Sequence, residues 1–227
     1  MRKTPRTQYK SNLGDLFIDV KKNHEIFCLV DQIFHKESPL TILLEGSADV
    51  KNIEILVDVI KFRKNPKDII VLIDINSQSI KEHKQHIINK RLVSSCQAMV
   101  ADMNDLPFDD HSIDLVINYF TVNFNTSDRD DDQTIAEIQR VLKPGMSACL
   151  FSVYVSDESN KVADRGYAHG ARKKDTTFTF PAVYYQSAFK KYYLKCVNFA
   201  LQNGTDQQYL SYRRFLLMLQ SPSPQNI

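Results

Sequence analysis

The chain has 227 residues, 43% of them hydrophobic and 25% charged, with a net charge of +2. That balance describes an ordinary soluble globular protein and gives no argument for a nucleic-acid or acidic partner. The length suits one large domain, or a domain with appendages, and permits a substantial core.

The first ten residues, MRKTPRTQYK, are basic but have no apolar segment behind them, so they read as a frayed tail rather than a secretory signal. A nucleic-acid arm is the alternative. Residues 11–37 carry a helical pattern (Leu16, Phe17, Val20, then Ile26, Phe27, Leu29, Val30, Ile33 and Phe34). Ser38-Pro39 is expected to end it, because proline disfavours helix at the residue before it. We expect an N-terminal segment of tail and helices over 1–37, a domain over 38–220 and a disordered tail over 221–227.

The stretch LTILLEGSAD, Leu40 to Asp49, is a short apolar run closed by Glu45-Gly46 and small residues. Ile53, Leu56, Val57 and Ile60 then recur at i, i+3, i+4 and i+7, predicting a helix over 50–62. Strand, glycine turn and helix in this order form the nucleotide-binding corner of an α/β fold, whose ligands sit beyond the carboxyl ends of the strands. A dinucleotide fingerprint needs three glycines, and here there is one, so taken alone the corner reads equally as a structural βα turn with no ligand.

Asn65-Pro66-Lys67 reads as a turn, residues 68–74 (DIIVLID) as a second strand ending on an acid, and 77–90 as a helix capped near Ser77. Residues 95–100 and 114–119 (DLVINY) read as further strands, 132–142 as a helix stopped by Lys143-Pro144-Gly145, and 146–155 as a fifth strand. Strands alternating with helices imply βαβ units and a parallel sheet. Glu45, Asp74, Asp102 and Asn118 are then expected along one rim of that sheet. Residues 157–177 read as a long polar loop, 181–193 as a helix, and 195–201 and 209–219 as strands of an antiparallel hairpin that closes the sheet.

Four strings in order, ILLEGSAD, VLIDINS, VADMNDLPFDDHSIDLVINY and EIQRVLKPGMSACLFS, resemble the class I S-adenosylmethionine-dependent methyltransferases. The likeness is to the small-molecule-like type 11 branch and covers about residues 40–155. It implies a Rossmann-like, doubly wound, seven-stranded and mostly parallel sheet with an antiparallel C-terminal hairpin strand. It also implies S-adenosylmethionine as cofactor. Carried over by position, Asp74 would accept from the ribose hydroxyls and Ile75 would cover one adenine face. Asp102 would accept from the adenine amino group and the Met103 N–H would donate to the ring. Gly46 and the Ser47 and Ala48 backbone would face the methionine end, Glu45 would join the acids that hold the cofactor, and Asn118 and Tyr119 would border the methyl group. The family's first motif runs acid-x-Gly-x-Gly-x-Gly. Counted from Glu45, Asp49 stands where a glycine is expected. A carboxylate there would either repel the cofactor's carboxylate or meet its amino group.

No fixed catalytic residue is implied, because the sulfonium is already activated and the protein's part is largely alignment of the acceptor. Tyr167 and His169, in the polar loop, read either as a disordered or surface excursion or as part of a lid that brings a proton acceptor over the methyl group. Asp128, Asp130, Asp131 and Asp132 lack the glycine and the acid that a calcium loop requires, and read as acids at a helix N-terminus. His83 and His86 read as an exposed helix face and His111 as a solvated loop residue, so no metal is expected. Cys28, Cys96, Cys149 and Cys196 form no CxxC pair and read as reduced thiols of a cytoplasmic protein. No apolar run is long enough to span a membrane.

The expectation is methyl transfer to a small-molecule acceptor, with nucleic-acid and protein acceptors left open. The alternatives are a methyltransferase-fold subunit that has lost catalysis and a nicotinamide-nucleotide domain. The LPF and RVLKPG strings argue against the last. Oligomeric state is not legible.

Overall fold

The apolar runs become strands buried on both faces. In the computed structural model the described residues are Leu13, Leu16, Phe17, Lys21 and 24–155, apart from 48, 120, 123, 124, 126, 127 and 146. Only the backbone is described for Glu25, Asp128, 152–155, 163–165, 177–179, 195–206 and 209–220. Five parallel strands form the central sheet: β1 (Thr41–Glu45), β2 (Ile69–Asp74), β3 (Cys96–Val100), β4 (Leu115–Tyr119) and β5 (Ala148–Val155). Their spatial order is β3-β2-β1-β4-β5. The helices are α1 (His24–Phe34), α2 (Lys51–Arg63), α3 (Ser77–Asn89) and α4 (Asp128–Val141).

Period-two alternation along each strand sorts the side chains into two layers. Ile42, Leu44, Ile70, Leu72, Leu115 and Ile117 join the apolar faces of α1, α2 and α3 in one core cluster. Leu43, Val71, Ile73, Val116, Cys149 and Phe151 join Ile135, Ile138 and Val141 of α4 in the other. A sheet covered on both faces explains why its strands read as continuous apolar runs.

Element boundaries differ from the sequence reading in several places, among them the 195–201 strand, which runs on to Asp206. The first helix ends at Phe34, ahead of Ser38-Pro39. Asn76 rather than Ser77 caps α3, its side chain accepting from Gln78 N at 3.0 Å and Ser79 N at 3.4 Å. α4 begins at Asp128, one turn before the predicted start, because its first turn is polar and carries no apolar period. Within the polar 157–177 segment and its edge, Ala163–Arg165 pairs antiparallel with Thr177–Thr179, so the stretch is not wholly loop. The predicted helix over 181–193 and both terminal tails lie outside the described residues.

Buried ion pairs brace the amino-terminal edge of the sheet. Asp68 accepts from Leu40 N at 2.9 Å and from Arg63 Nε at 2.6 Å, with both side chains almost fully buried. Arg63 also donates to the carbonyl oxygens of Phe34 and Ser38, tying α1 to α2. Asp114 accepts from Thr41 N at 2.9 Å and pairs with Lys36 at 3.2 Å and Lys143 at 2.6 Å. Removing one partner of a buried pair costs more than the pair contributes, since the other charge stays desolvated. Asp68→Ala, which strands Arg63, is expected to lose about 3–5 kcal/mol of stability. A urea melt reads the loss as a lowered midpoint with unchanged slope.

Candidate cofactor-binding site

The chain runs from β1 outward to β2 and β3, then returns to lay β4 against the other side of β1. The strand order reverses between β1 and β4, and the crevice beyond the carboxyl ends at such a point is where α/β sheets bind ligands. Glu45 and Asn118 are register partners there. Asn118 Nδ2 donates to Glu45 Oε2 at 2.7 Å. The same amide lies 3.8 Å from Met103 Sδ, and its oxygen accepts from Val122 N at 3.2 Å.

Glu45 is fully buried, and its Oε1 has no hydrogen-bond partner among the described residues. Burial pushes its carboxyl up to about 8; the Asn118 hydrogen bond opposes this and the nearby Glu137 charge adds to it. Ser47, two residues on, is also buried, and its Oγ has no hydrogen-bond partner among the described residues. Buried polar groups are rarely left unpaired, and each such atom calls for an explanation. Two orphaned acceptors at the β1–α2 corner fit a ligand that brings donors, as the amino group of S-adenosylmethionine does.

The main chain of the corner offers less. Gly46 adopts φ +64°, a conformation that favours glycine. Its N–H and that of Ser47 both donate to Ile73 O, at 2.9 and 3.2 Å, so neither points at a ligand. A Cβ at Gly46 would lie 2.3 Å from Thr121 Oγ1, whose hydroxyl donates to Glu45 O at 2.8 Å. Asp49 is buried, and its Oδ1 accepts from Lys51 N at 3.0 Å, serving the start of α2.

Asp74 ends β2, and Asp102 follows β3 by two residues. Each carboxylate is fixed by a local turn: Asp74 Oδ1 accepts from Asn76 N at 2.8 Å and Asp102 Oδ1 from Asn104 N at 2.9 Å. One oxygen of each is thereby oriented and the other left available. Ile75 is 74% exposed on the same rim, as a side chain must be to meet a flat ligand. Tyr119 instead packs in the α1–α3 core cluster. Tyr167 and His169 lie outside the described residues, as do Tyr184, Tyr185, Tyr192 and Tyr193.

Sequence reading missed the support beneath this rim. Asn104 Nδ2 donates to Asn125 Oδ1 at 3.1 Å, and Asn125 Nδ2 donates to Asp131 Oδ1 at 3.0 Å and Thr134 Oγ1 at 2.9 Å. Glu137 Oε2 accepts from Leu106 N at 2.7 Å, and Arg140 donates to Leu106 O, Phe108 O and Asp110. The Arg140 hydrogen bond holds the Glu137 carboxyl below its usual range. Thr134, Glu137 and Arg140 follow one another at helical spacing, so one side of α4 suspends the whole 104–110 loop. His83 corrects another expectation: it is 1% exposed, with Nδ1 2.5 Å from Ser79 O, and not on a solvated face. His86 lies 3.4 Å from Glu54. His111 is exposed, at φ +58°. Among the described residues no three His, Cys, Asp or Glu side chains are grouped to hold a metal, and no helix is long and apolar enough to cross a membrane. Burial pushes the Cys96 thiol up to about 11 and the Cys149 thiol well above its ordinary value, so both are protonated and unreactive.

Two outcomes test this geometry. Gly46→Ala adds both a disfavoured φ and the Thr121 clash, for an expected loss of about 2–4 kcal/mol. Combining it with Thr121→Ala is expected to recover the clash part only, which a double-mutant cycle of urea melts measures. Glu45→Gln tests the buried carboxyl. With its folded value above the unfolded one, Glu45 favours folding most below pH 4.5 and loses that contribution as pH rises toward 8. The variant is therefore expected to gain thermal stability over wild type on going from pH 5 to pH 8, by roughly 2–4 °C per kcal/mol recovered.

Residues 58–150 match the family described as "Methyltransferase domain". A relative from Idiomarina loihiensis, the ubiquinone/menaquinone biosynthesis C-methyltransferase UbiE, is 32% identical over 97 residues, which cover 42% of this chain and 38% of the relative. The chain spans less than half the length of the curated relatives it matches. A methyltransferase structure from Methanosarcina mazei superposes with a TM-score of 0.63 at 14% identity, covering 86% of this chain and 97% of that one. The N-terminal domain of EvdMO1, solved with S-adenosylhomocysteine (SAH) bound, superposes with a TM-score of 0.63 at 9% identity, covering 93% and 82%. Strand order, the match over residues 58–150 and these relatives agree in giving the chain a methyltransferase-like fold.

Proposed function

We propose that this chain transfers a methyl group from S-adenosylmethionine to a small-molecule acceptor. The observation that carries the reading is the β1–β4 switch point, where buried Glu45 and Ser47 each keep an oxygen with no partner among the described residues. When bound, the cofactor supplies an activated electrophilic methyl. Asp74 binds its ribose hydroxyls, a charged acceptor being stronger than a neutral one. Ile75 covers the adenine, Asp102 and the Met103 N–H read its edge, and Glu45 with Ser47 holds the methionine end. Asn118 keeps Glu45 in place and orients the loop after β4 on the acceptor side. The chain's remaining task is to exclude water and align the acceptor. Residues 195–206 and 209–220 complete the sheet as an antiparallel hairpin; the support is backbone pairing of Ala148–Val155 with Arg213–Gln220. A small-molecule acceptor is supported by the UbiE relatives, whose names place them in quinone biosynthesis.

One observation favours a second reading, a methyltransferase-fold subunit without catalysis. Thr121 occupies the space beside Gly46, and both corner N–H groups are already used. Titration calorimetry with SAH separates the two. Wild type is expected to bind, and Asp74→Ala to bind roughly 10- to 100-fold more weakly, the worth of hydrogen bonds to a charged group. No heat from wild type at high ligand concentration would support the second reading.

A further inference from the structure

The glycine of the β1–α2 corner makes room for the protein itself. A Cβ at Gly46 would collide with both Oγ1 and Cγ2 of Thr121, so a side chain from the loop after β4 stands directly against the Gly46 main chain. In a nucleotide-binding turn that close approach is left for the ligand. The polar main chain of the corner is taken as well. Glu45 O accepts from the Thr121 hydroxyl, and Gly46 N and Ser47 N both donate to Ile73 O. Ser47 O accepts from Asp49 N and from Asn52 Nδ2. Thr121 is held from two sides: its hydroxyl bond to Glu45 O is 2.8 Å long, and the next residue, Val122, donates its N–H to Asn118 Oδ1 at 3.2 Å. A β-branched side chain has few χ1 rotamers, and the hydroxyl bond selects one of them, which gives the methyl group a fixed place.

We infer that Thr121 is a specificity-determining residue, and that the width it leaves beside Gly46 sets how readily the crevice admits the aminocarboxypropyl tail of an adenosyl ligand. This rests on the proposed function and deepens it. The proposed adenosine contacts, Asp74, Ile75 and Asp102, belong to the ends of β2 and β3. The proposed tail contacts, Glu45 and Ser47, flank Gly46 in the chain, and each keeps an oxygen with no partner among the described residues. Thr121 therefore acts on one end of the ligand and not on the other. A packed wall does not yield without cost, so a ligand with the tail pays to pass Thr121 and a ligand without it does not.

Calorimetry of the full chain with SAH, which carries the tail, and with methylthioadenosine, which lacks it, tests the assignment. Thr121→Ala removes both atoms that stand against Gly46. It is expected to tighten SAH by about tenfold, the scale on which a pocket discriminates one small group, and to change methylthioadenosine by less than about twofold. Thr121→Val keeps the volume and discards the hydroxyl, and is expected to keep the wild-type ratio of the two affinities. If Thr121→Ala leaves that ratio unchanged, the inference is overturned while the proposed function stands. If wild type binds neither ligand and Thr121→Ala binds SAH, the inference is upheld and the function without catalysis is favoured. If no form binds either ligand, both fall. Thr121→Ser, which removes the methyl alone, is expected to shift the ratio in the same direction and keeps the test decisive where Thr121→Ala does not fold.

Discussion

The Asn118–Glu45 hydrogen bond is the constraint on which the rim depends. It spans the place where the sheet changes direction, so it joins the first half of the fold to the second. An amide has two donor hydrogens and one acceptor oxygen. Asn118 directs them at Glu45, toward Met103 and at Val122, and so fixes the end of β1, the loop after β3 and the loop after β4 from one side chain. Without it the Glu45 carboxyl would be buried with no donor among the described residues, a penalty that the apolar packing around it does nothing to offset.

The strings that resemble the family turn out to be mostly architectural. Glu137 and Arg140 grip the backbone of Leu106 and Phe108, which is why an acid and an arginine three residues apart accompany a LeuProPhe loop. Lys143 reaches Asp114 at the foot of β4, and Lys36 joins them from beyond α1. Such strings report how a loop is hung from a helix. They identify the fold with high specificity and carry little information about the acceptor. The residues facing the crevice are fewer, and the glycine motif, where the chain departs from the pattern it resembles, lies among them.

Strand positions were legible because apolar runs of five or six residues bounded by turn residues allow little else once helices alternate with them. The ends were less so: α4 starts among acids whose role at the helix depends on side chains outside it, with Asp131 meeting Asn125. His83 was readable in principle. It lies three residues after Ile80 and four before Ile87, on the buried stripe of α3, and its polarity masked its position. The Asn104–Asn125–Thr134 contacts were beyond sequence reading, since amide and hydroxyl groups 9 to 30 residues apart carry no periodic signal. Glu45 could be located as a rim acid, but its isolation is a property of the packed interior alone.

The same amide–hydroxyl contacts have a mechanical meaning. They bolt the loop that follows β3 to the loop that follows β4, with α4 as the anvil beneath both. Neither loop can swing outward by itself without exposing or orphaning groups now satisfied in the interior. Traffic through the crevice is therefore a concerted affair: the two lips part together, or the path lies over the opposite shoulder of the sheet.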